Sequence, residues 1–261
     1  MMNRVWKFTD LEYYTLWRSA RDEGLPFPFY FATNIQSADV FRREMNQTRE
    51  QLARTLGNSF DAVLETIVDP DLRIAVNGWD ERAPRDPQTL VRLIGVRRGD
   101  RGCLVTQLPG ESYWHAGGFV VTECDAITLA DAVVDAMPQA DAGGRSQILL
   151  TRRPQTDEMD YAFGRSAVQD SYDGSITDQA QQFLDAGLHS TGSIDVVQGR
   201  SMFGPRGITK FRLEWRDLDN DGRYAIDPEN SMAVAIGRER LITMINTKVA
   251  AVVQAIKDER A

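Results

Sequence analysis

The chain is poor in the residues that most catalysis and metal binding require. Its 261 residues hold two cysteines and two histidines. Two cysteines do not make a disulfide framework in a chain this long. Cys103 and Cys124 both fall inside predicted strands, where a buried free thiol is expected. His115 and His189 are far apart, and neither has a cysteine or second histidine at metal-ligand spacing. There is no H-E-x-x-H, C-x-x-C, P-loop or G-x-G-x-x-G, and Gly164-Arg165-Ser166-Ala167-Val168 lacks the second glycine of a nucleophile elbow. No pair of carboxylates is set apart by its spacing for acid–base work. The expectation is no catalytic residue, no cofactor and no metal.

Long apolar runs are missing too. None approaches the roughly 20 residues of a membrane span, and Met1 to Asp10 lacks the apolar stretch of a secretory signal. The expected compartment is the cytoplasm, with no membrane insertion. A net charge of −8 counts against nucleic acid, which needs a clustered basic surface, and against an anionic membrane surface. Composition is otherwise that of a globular protein, 42% hydrophobic and 26% charged.

What is present is one order of elements, read twice. Leu72 to Met137 reads as strand, loop, strand, tight turn, strand, strand, helix, and Ser193 to Ile256 repeats it. Before the first set, residues 3–8 suggest a strand. Thr9-Asp10-Leu11-Glu12 has the form of a capping box, opening a helix that ends at Gly24-Leu25-Pro26-Phe27-Pro28. Ser37 is placed to cap a second helix to about Leu56. Phe60, Val63, Leu64, Ile67 and Val68 give a third its core-facing stripe.

Leu72, Ile74 and Val76 alternate with Arg73, Ala75 and Asn77, as in a half-buried strand. A polar loop, Trp79 to Gln88, follows. Strands at 89–98 and 103–109 flank Gly99-Asp100-Arg101-Gly102, which has hairpin-turn chemistry. A strand at 118–124 leads to a helix at 126–137, and Pro138 and Gly143-Gly144 close the first half. The second half reads as a strand at 145–150, an irregular or weakly helical stretch at 152–175, and a helix capped near Ser175-Ile176-Thr177-Asp178 and ended by Gly187. Strands at 193–198, 208–216, 223–227 and 231–236 follow, then a last helix with Leu241, Ile245, Val249, Val252 and Ile256 in one stripe. Phe211, Leu213 and Trp215 alternate with Lys210, Arg212, Glu214 and Arg216. That pattern predicts a sheet with one helix-covered face and one open, polar face.

Asp217-Leu218-Asp219-Asn220-Asp221-Gly222 matches the first half of an EF-hand loop, but Pro228 stands where the bidentate glutamate belongs and strands flank it. It reads as a polar hairpin turn, with a cation at Asp217, Asp219 and Asp221 left open. Two loops invite binding. Trp79, Glu81, Arg82 and Arg85 supply the first with an aromatic and polar contacts. The equivalent loop of the second half, Gly199 to Pro205, would present Met202 and Phe203 as an apolar tip.

Trp6-Lys7-Phe8-Thr9-Asp10-Leu11-Glu12, then Trp17, then Leu25-Pro26-Phe27-Pro28, resembles the N-terminus of the EspG family of type VII (ESX) secretion chaperones. The C-terminal half is similar as well, with Trp215, then Asp221-Gly222-Arg223-Tyr224, a strand and a long final helix. The resemblance implies an α+β fold: a central antiparallel sheet with flanking helices, in two quasi-symmetric halves of about 1–144 and 145–261 within a single domain. It implies a cytosolic, non-enzymatic chaperone that binds a PE–PPE-type heterodimer at the PPE tip and keeps it soluble for secretion. Partner contacts are expected from the 80–88 loop and the C-terminal half, at Trp79, Glu81, Arg82, Arg85, Asp195, Met202, Phe203, Arg212 and Glu214. The alternatives are a hydrolase with a dispersed active site, which needs a deep pocket that the open-face reading does not predict, and a self-associating adaptor, a homodimer paired through exposed sheet edges.

Overall fold

Alternating apolar segments joined by turns pair into a single antiparallel sheet. The computed structural model describes residues 4–145, 147–150 and 177–260. The stretch 152–175 and the Ser175-Ile176 part of the predicted cap lie outside the described residues. Strands β1 (Val5–Phe8), β2 (Leu72–Asp80), β3 (Val91–Arg98), β4 (Arg101–Pro109) and β5 (Ala116–Asp125) form one side. The other side holds β6 (Gln147–Leu149), β7 (Leu188–Gln198), β8 (Lys210–Leu218), β9 (Arg223–Asp227) and β10 (Met232–Ala235). Their spatial order is β1-β5-β4-β3-β2-β7-β8-β9-β10-β6. Read outward from the β2–β7 seam, both sides run in the same sequence, with the earliest strand outermost. Short 3₁₀ turns at Pro87–Thr89 and Pro205–Gly207 occupy the same place in the two sides.

Helices α1 (Asp10–Ala20), α2 (Ala38–Leu56) and α3 (Asp61–Val68) follow β1. The capping box forms: Glu12 N–H donates to Thr9 Oγ1 at 3.2 Å, and Thr9 N–H donates to Glu12 Oε2 at 2.8 Å. Helix α4 (Leu129–Asp135) follows β5, α5 (residues 177–184) precedes β7, and α6 (Arg238–Arg260) ends the fold. Among the described residues, no helix is long and apolar enough to cross a membrane.

One face of the sheet packs against α4 and α6, burying Ile74, Val76, Leu93, Ile194, Val196, Leu213 and Trp215 with Val133, Leu241 and Ile245. The opposite face corrects the expectation of an open side. Over β1, β5, β4 and β3 it is covered by α1–α3, and Ile94, Val96, Val105, Phe119 and Val121 pack there with Tyr13, Trp17 and Phe60. These strands are apolar on both faces because both meet helices. At the far side α5 covers Tyr224 and Ile226 with Phe183. Among the described residues, the polar face survives as a strip over β2, β7 and β8.

Trp215 is the largest fully buried side chain, 1% exposed. Its indole lies across Gly192 and Gly78, which follow it in register on β7 and then β2. A Cβ added at Gly78 would sit 2.4 Å from the ring, and one at Gly192 2.2 Å from it. The two glycines thus make room for the side chain that fills the centre of the core.

Other boundaries shift modestly. Trp79 and Asp80 belong to β2, so the loop starts two residues later than its sequence suggests. The β3–β4 turn is Gly99-Asp100, because Arg98 and Arg101 still pair and Gly99 adopts φ of 60°. The predicted 126–137 helix is a 3₁₀ turn, Ala126–Thr128, before α4. Strand β7 starts at Leu188, five residues before its alternating core. Cys103 is buried and Cys124 half-buried, both as free thiols. They belong to opposite faces, since Gly102, not Cys103, is in register with Cys124. Burial pushes the thiol of Cys103 up to about 12 and that of Cys124 up to about 11.

Gly192→Ala and Gly78→Ala should each destabilise the fold by about 1–3 kcal/mol, the usual cost of overpacking, in urea titrations. Gly24→Ala, where an added Cβ meets nothing within 4 Å, should leave the midpoint within about 0.5 kcal/mol of the parent.

Candidate functional site

The open strip gathers three of the charged candidates, Asp195, Arg212 and Glu214. From one end to the other, β8 presents Lys210, Arg212, Glu214 and Arg216 on this face, and β7 and β2 add Asp195, Ser193, Thr191, Arg73, Asn77 and Trp79. Arg212 and Asp195 are cross-strand neighbours and form a two-pronged pair, with Nε at 2.6 Å and Nη2 at 2.9 Å. Exposed pairs of this kind add little stability; this one fixes the side chains' positions on the strip. Its hydrogen bond to Asp195, with the carboxylate's charge, raises the pKa of Arg212.

The two loops sit at opposite ends of that strip. Because β2 and β7 are antiparallel, the loop after β2 leaves from one end and the loop after β7 from the other. Nine residues of β2 separate them by roughly 26 Å. The two loops therefore do not form one patch.

At the first end, the indole of Trp79 donates to Glu81 at 2.6 Å. Trp79 is half-buried on the strand and is not a free loop tip. Arg82 reaches across to Asp219 in the β8–β9 turn, and Arg85 is exposed. Beneath this loop lies a cleft of about 730 Å³ between the strand ends and residues 136–140. Its presence also corrects the open-face expectation. The three carboxylates of the EF-hand-like turn diverge to protein partners. Asp217 takes both prongs of buried Arg223 at 2.6 and 2.7 Å. Asp219 holds Arg82. Asp221 accepts from Gly144 N–H at 2.6 Å and the Tyr224 hydroxyl at 2.8 Å. They act as the pins of a tight turn, with Asn220 at φ of 59°.

At the second end, Met202 and Phe203 are each 70% exposed, on a loop held firmly from below. Glu259, near the end of α6, accepts from Gln198 Nε2 at 3.0 Å, Ser201 Oγ at 2.8 Å and Met202 N–H at 3.0 Å. Ser201 Oγ also accepts from Phe203 N–H at 3.2 Å, and Arg200 binds Asp69 at 2.6 Å. An apolar pair kept in water by a built-in clamp has lost its ordering entropy before any contact is made, which favours binding. Glu259 escaped the sequence reading because it is 58 residues from Ser201, with no local signal linking them.

A Ser–His contact does form, between Ser112 Oγ and His115 Nδ1 at 2.7 Å, with Glu111 at 3.3 Å from Nε2. It lies within the tight 111–115 turn, and the adjoining pocket holds about 10 Å³, room for a water molecule rather than a substrate.

Hydrogen bonds from Gln198 first, and then from the Met202 N–H, hold the Glu259 carboxyl below its ordinary 4.5. A depressed pKa means the clamp is complete above about 4.5 and is lost as pH falls through the lower folded value. The protection of the Met202 and Phe203 amides, measured against their intrinsic exchange rates, should fall on acidification through that window. Glu259→Gln should lower that protection at neutral pH and make it independent of pH. Separately, Asp217→Asn leaves Arg223 buried beside a neutral partner and should cost about 3–5 kcal/mol of stability by chemical denaturation.

A model of the EspG family matches residues 9–247 of the chain. Among solved structures, the chain is similar to the Mycobacterium tuberculosis type VII secretion system chaperone EspG5, determined in complex with a PE25–PPE41 dimer. That likeness covers 95% of this chain and 96% of that one, with a TM-score of 0.53 and 13% sequence identity. It is a likeness of fold. No curated protein sequence matches the chain significantly.

Proposed function

The chain belongs to the EspG family, and on that premise we propose that it is a cytosolic secretion chaperone. It binds the PPE tip of a PE–PPE-type helical heterodimer, keeps the pair soluble and directs it to a type VII secretion system. It works by binding and not by catalysis, as one domain of two similar halves, about 1–144 and 145–261.

The observation that carries this reading is the clamped, exposed Met202–Phe203 tip. A helical pair with an apolar end aggregates unless that end is covered, and large apolar side chains make the strongest anchors. The two loops are too far apart for one tip to reach both. We therefore assign the apolar anchor to Met202 and Phe203. The strip of Arg212, Asp195 and Glu214 supplies polar contacts along the body of an elongated helical partner. Trp79, Glu81, Arg82 and Arg85 form the far rim. A stable complex needs roughly 800 Å² on each side, and a strip of this length with both loops offers a surface on that scale. Pairing through sheet edges is the weaker reading for this chain, because β1 has four residues and β6 three, and short edges resist strand addition.

Co-expression with a PE–PPE-type pair, followed by size-exclusion chromatography with light scattering, tests this directly. One stoichiometric complex is expected, with the pair insoluble when made alone. Phe203→Ala should weaken the complex about tenfold or more with little change in melting temperature, since its side chain is mostly in water. Trp79→Ala should weaken it less and lower the melting temperature, because Trp79 also packs on the strand. Unchanged binding by Phe203→Ala removes the anchor assignment, and self-association without any complex removes the chaperone reading.

A further inference from the structure

Arg92 is a buried cation whose hydrogen-bonding edge is unused. It is the second residue of β3, on the face that α1–α3 cover, and it is 3% exposed. Among the described residues no carboxylate pairs with it, and its Nε and Nη2 are buried without a hydrogen-bond partner. Those two atoms form one side of the guanidinium fork, the side that grips a carboxylate with two parallel bonds. Among the described residues, three other arginines use that side in this way. Arg223 holds Asp217, Arg212 holds Asp195, and Arg238 holds Asp135 with Nε at 2.6 Å and Nη2 at 2.9 Å.

The surroundings stabilise the charge but leave the fork open. The guanidinium lies over the rings of Tyr30 and Tyr113, each 4.5 Å away, and Trp114 packs edge-on against both. Ring faces attract a cation, and the Tyr113 hydroxyl adds a polar contact to the guanidinium, but Nε and Nη2 stay without a partner. Gln107, which lines the same small pocket, turns its Oε1 to the Tyr30 N–H at 2.9 Å. Burial lowers the pKa of Arg92, yet an arginine keeps its proton at neutral pH. With no acceptor for Nε and Nη2 among the described residues, that edge keeps its desolvation cost unless an anion meets it. Arg92 also lines the pocket beside the 110–115 turn, together with Gln107, Pro109 and His115. It contributes to the wall of the larger cleft as well. Trp114, at the outer side of the ring cluster, is 56% exposed.

We propose that Arg92, framed by Tyr30 and Tyr113, is a carboxylate-binding subsite. The 110–115 turn moves aside to admit the ligand, and the fork closes on it with two charge-assisted hydrogen bonds. The carboxylate comes either from an acidic residue of a docked polypeptide or from a small free acid. The docked source rests on the chaperone reading; the subsite itself does not.

The Nε–H resonance of Arg92, assigned by its loss in Arg92→Lys, reports the fork directly. Titrating the free protein with sodium formate, against sodium chloride at equal ionic strength, should move that resonance downfield to saturation. Formate should also raise the melting temperature of the parent and not that of Arg92→Lys, which keeps the charge but has no fork. In the purified complex, a resonance already shifted and indifferent to formate identifies the docked polypeptide as the source. A complex that still responds to formate identifies a free acid. If formate does no more than chloride in the free protein, and the resonance is unshifted in the complex, the subsite does not exist. Failure of the complex to form, with the formate response intact, would count against the chaperone reading alone.

Discussion

The seam between β2 and β7 is what the rest of the molecule depends on. Nine residue pairs run along it, from Leu72 with Gln198 to Asp80 with Ser190, and they turn two five-strand sides into one sheet. The apolar side of this seam carries Gly78 and Gly192 so that the indole of Trp215 can lie across both strands. Backbone hydrogen bonds fix the register, and register decides which side chains face the core. A one-residue slip of β7 would turn Ile194 and Val196 outward and bring Asp195 inward. The polar strip and the apolar core are two consequences of the same pairing.

The seam also explains why similar halves present unlike surfaces. Its antiparallel strands send the loop after β2 to one end and the loop after β7 to the other. Each loop carries a 3₁₀ turn opened by a proline, Pro87 or Pro205. The chemistry between strand and turn differs. One loop is charged, with Arg82 fastened to Asp219. The other is apolar at its tip and fastened through Glu259. A repeated frame with divergent loops gives an elongated partner two different ends to recognise. The covering helices divide the face in the same way, with α1–α3 over one side and α5 over the other, and only the middle strands left to solvent.

Much of the fold was legible because its signals are local. Thr9 and Glu12 are three residues apart and form the capping box their spacing announces. The alternation of Lys210 to Arg216 gave the faces of β8 correctly, while Met202 and Phe203 were legible as an apolar pair whose exposure only the structure supplies. What was illegible is long-range. Nothing near Ile94 or Val121 says that α1–α3 will cover them, so the outer strands were assigned an open face they do not have. The placing of the two loops at opposite ends depends on the direction of β7 relative to β2, which no short window records. Arg92 looked like an ordinary polar residue in a strand. Only the assembled structure shows its fork buried against Tyr30 and Tyr113, with no carboxylate among the described residues to meet it.

Hydrogen–deuterium exchange of the chain, alone and in complex with a PE–PPE-type pair, tests the central claim most directly. The account predicts protection on complex formation at residues 199–204 and along 210–216, with weaker protection at 81–86, and none over α3. Protection confined to α1–α3, with Met202 and Phe203 exchanging as fast as in the free chain, would contradict it.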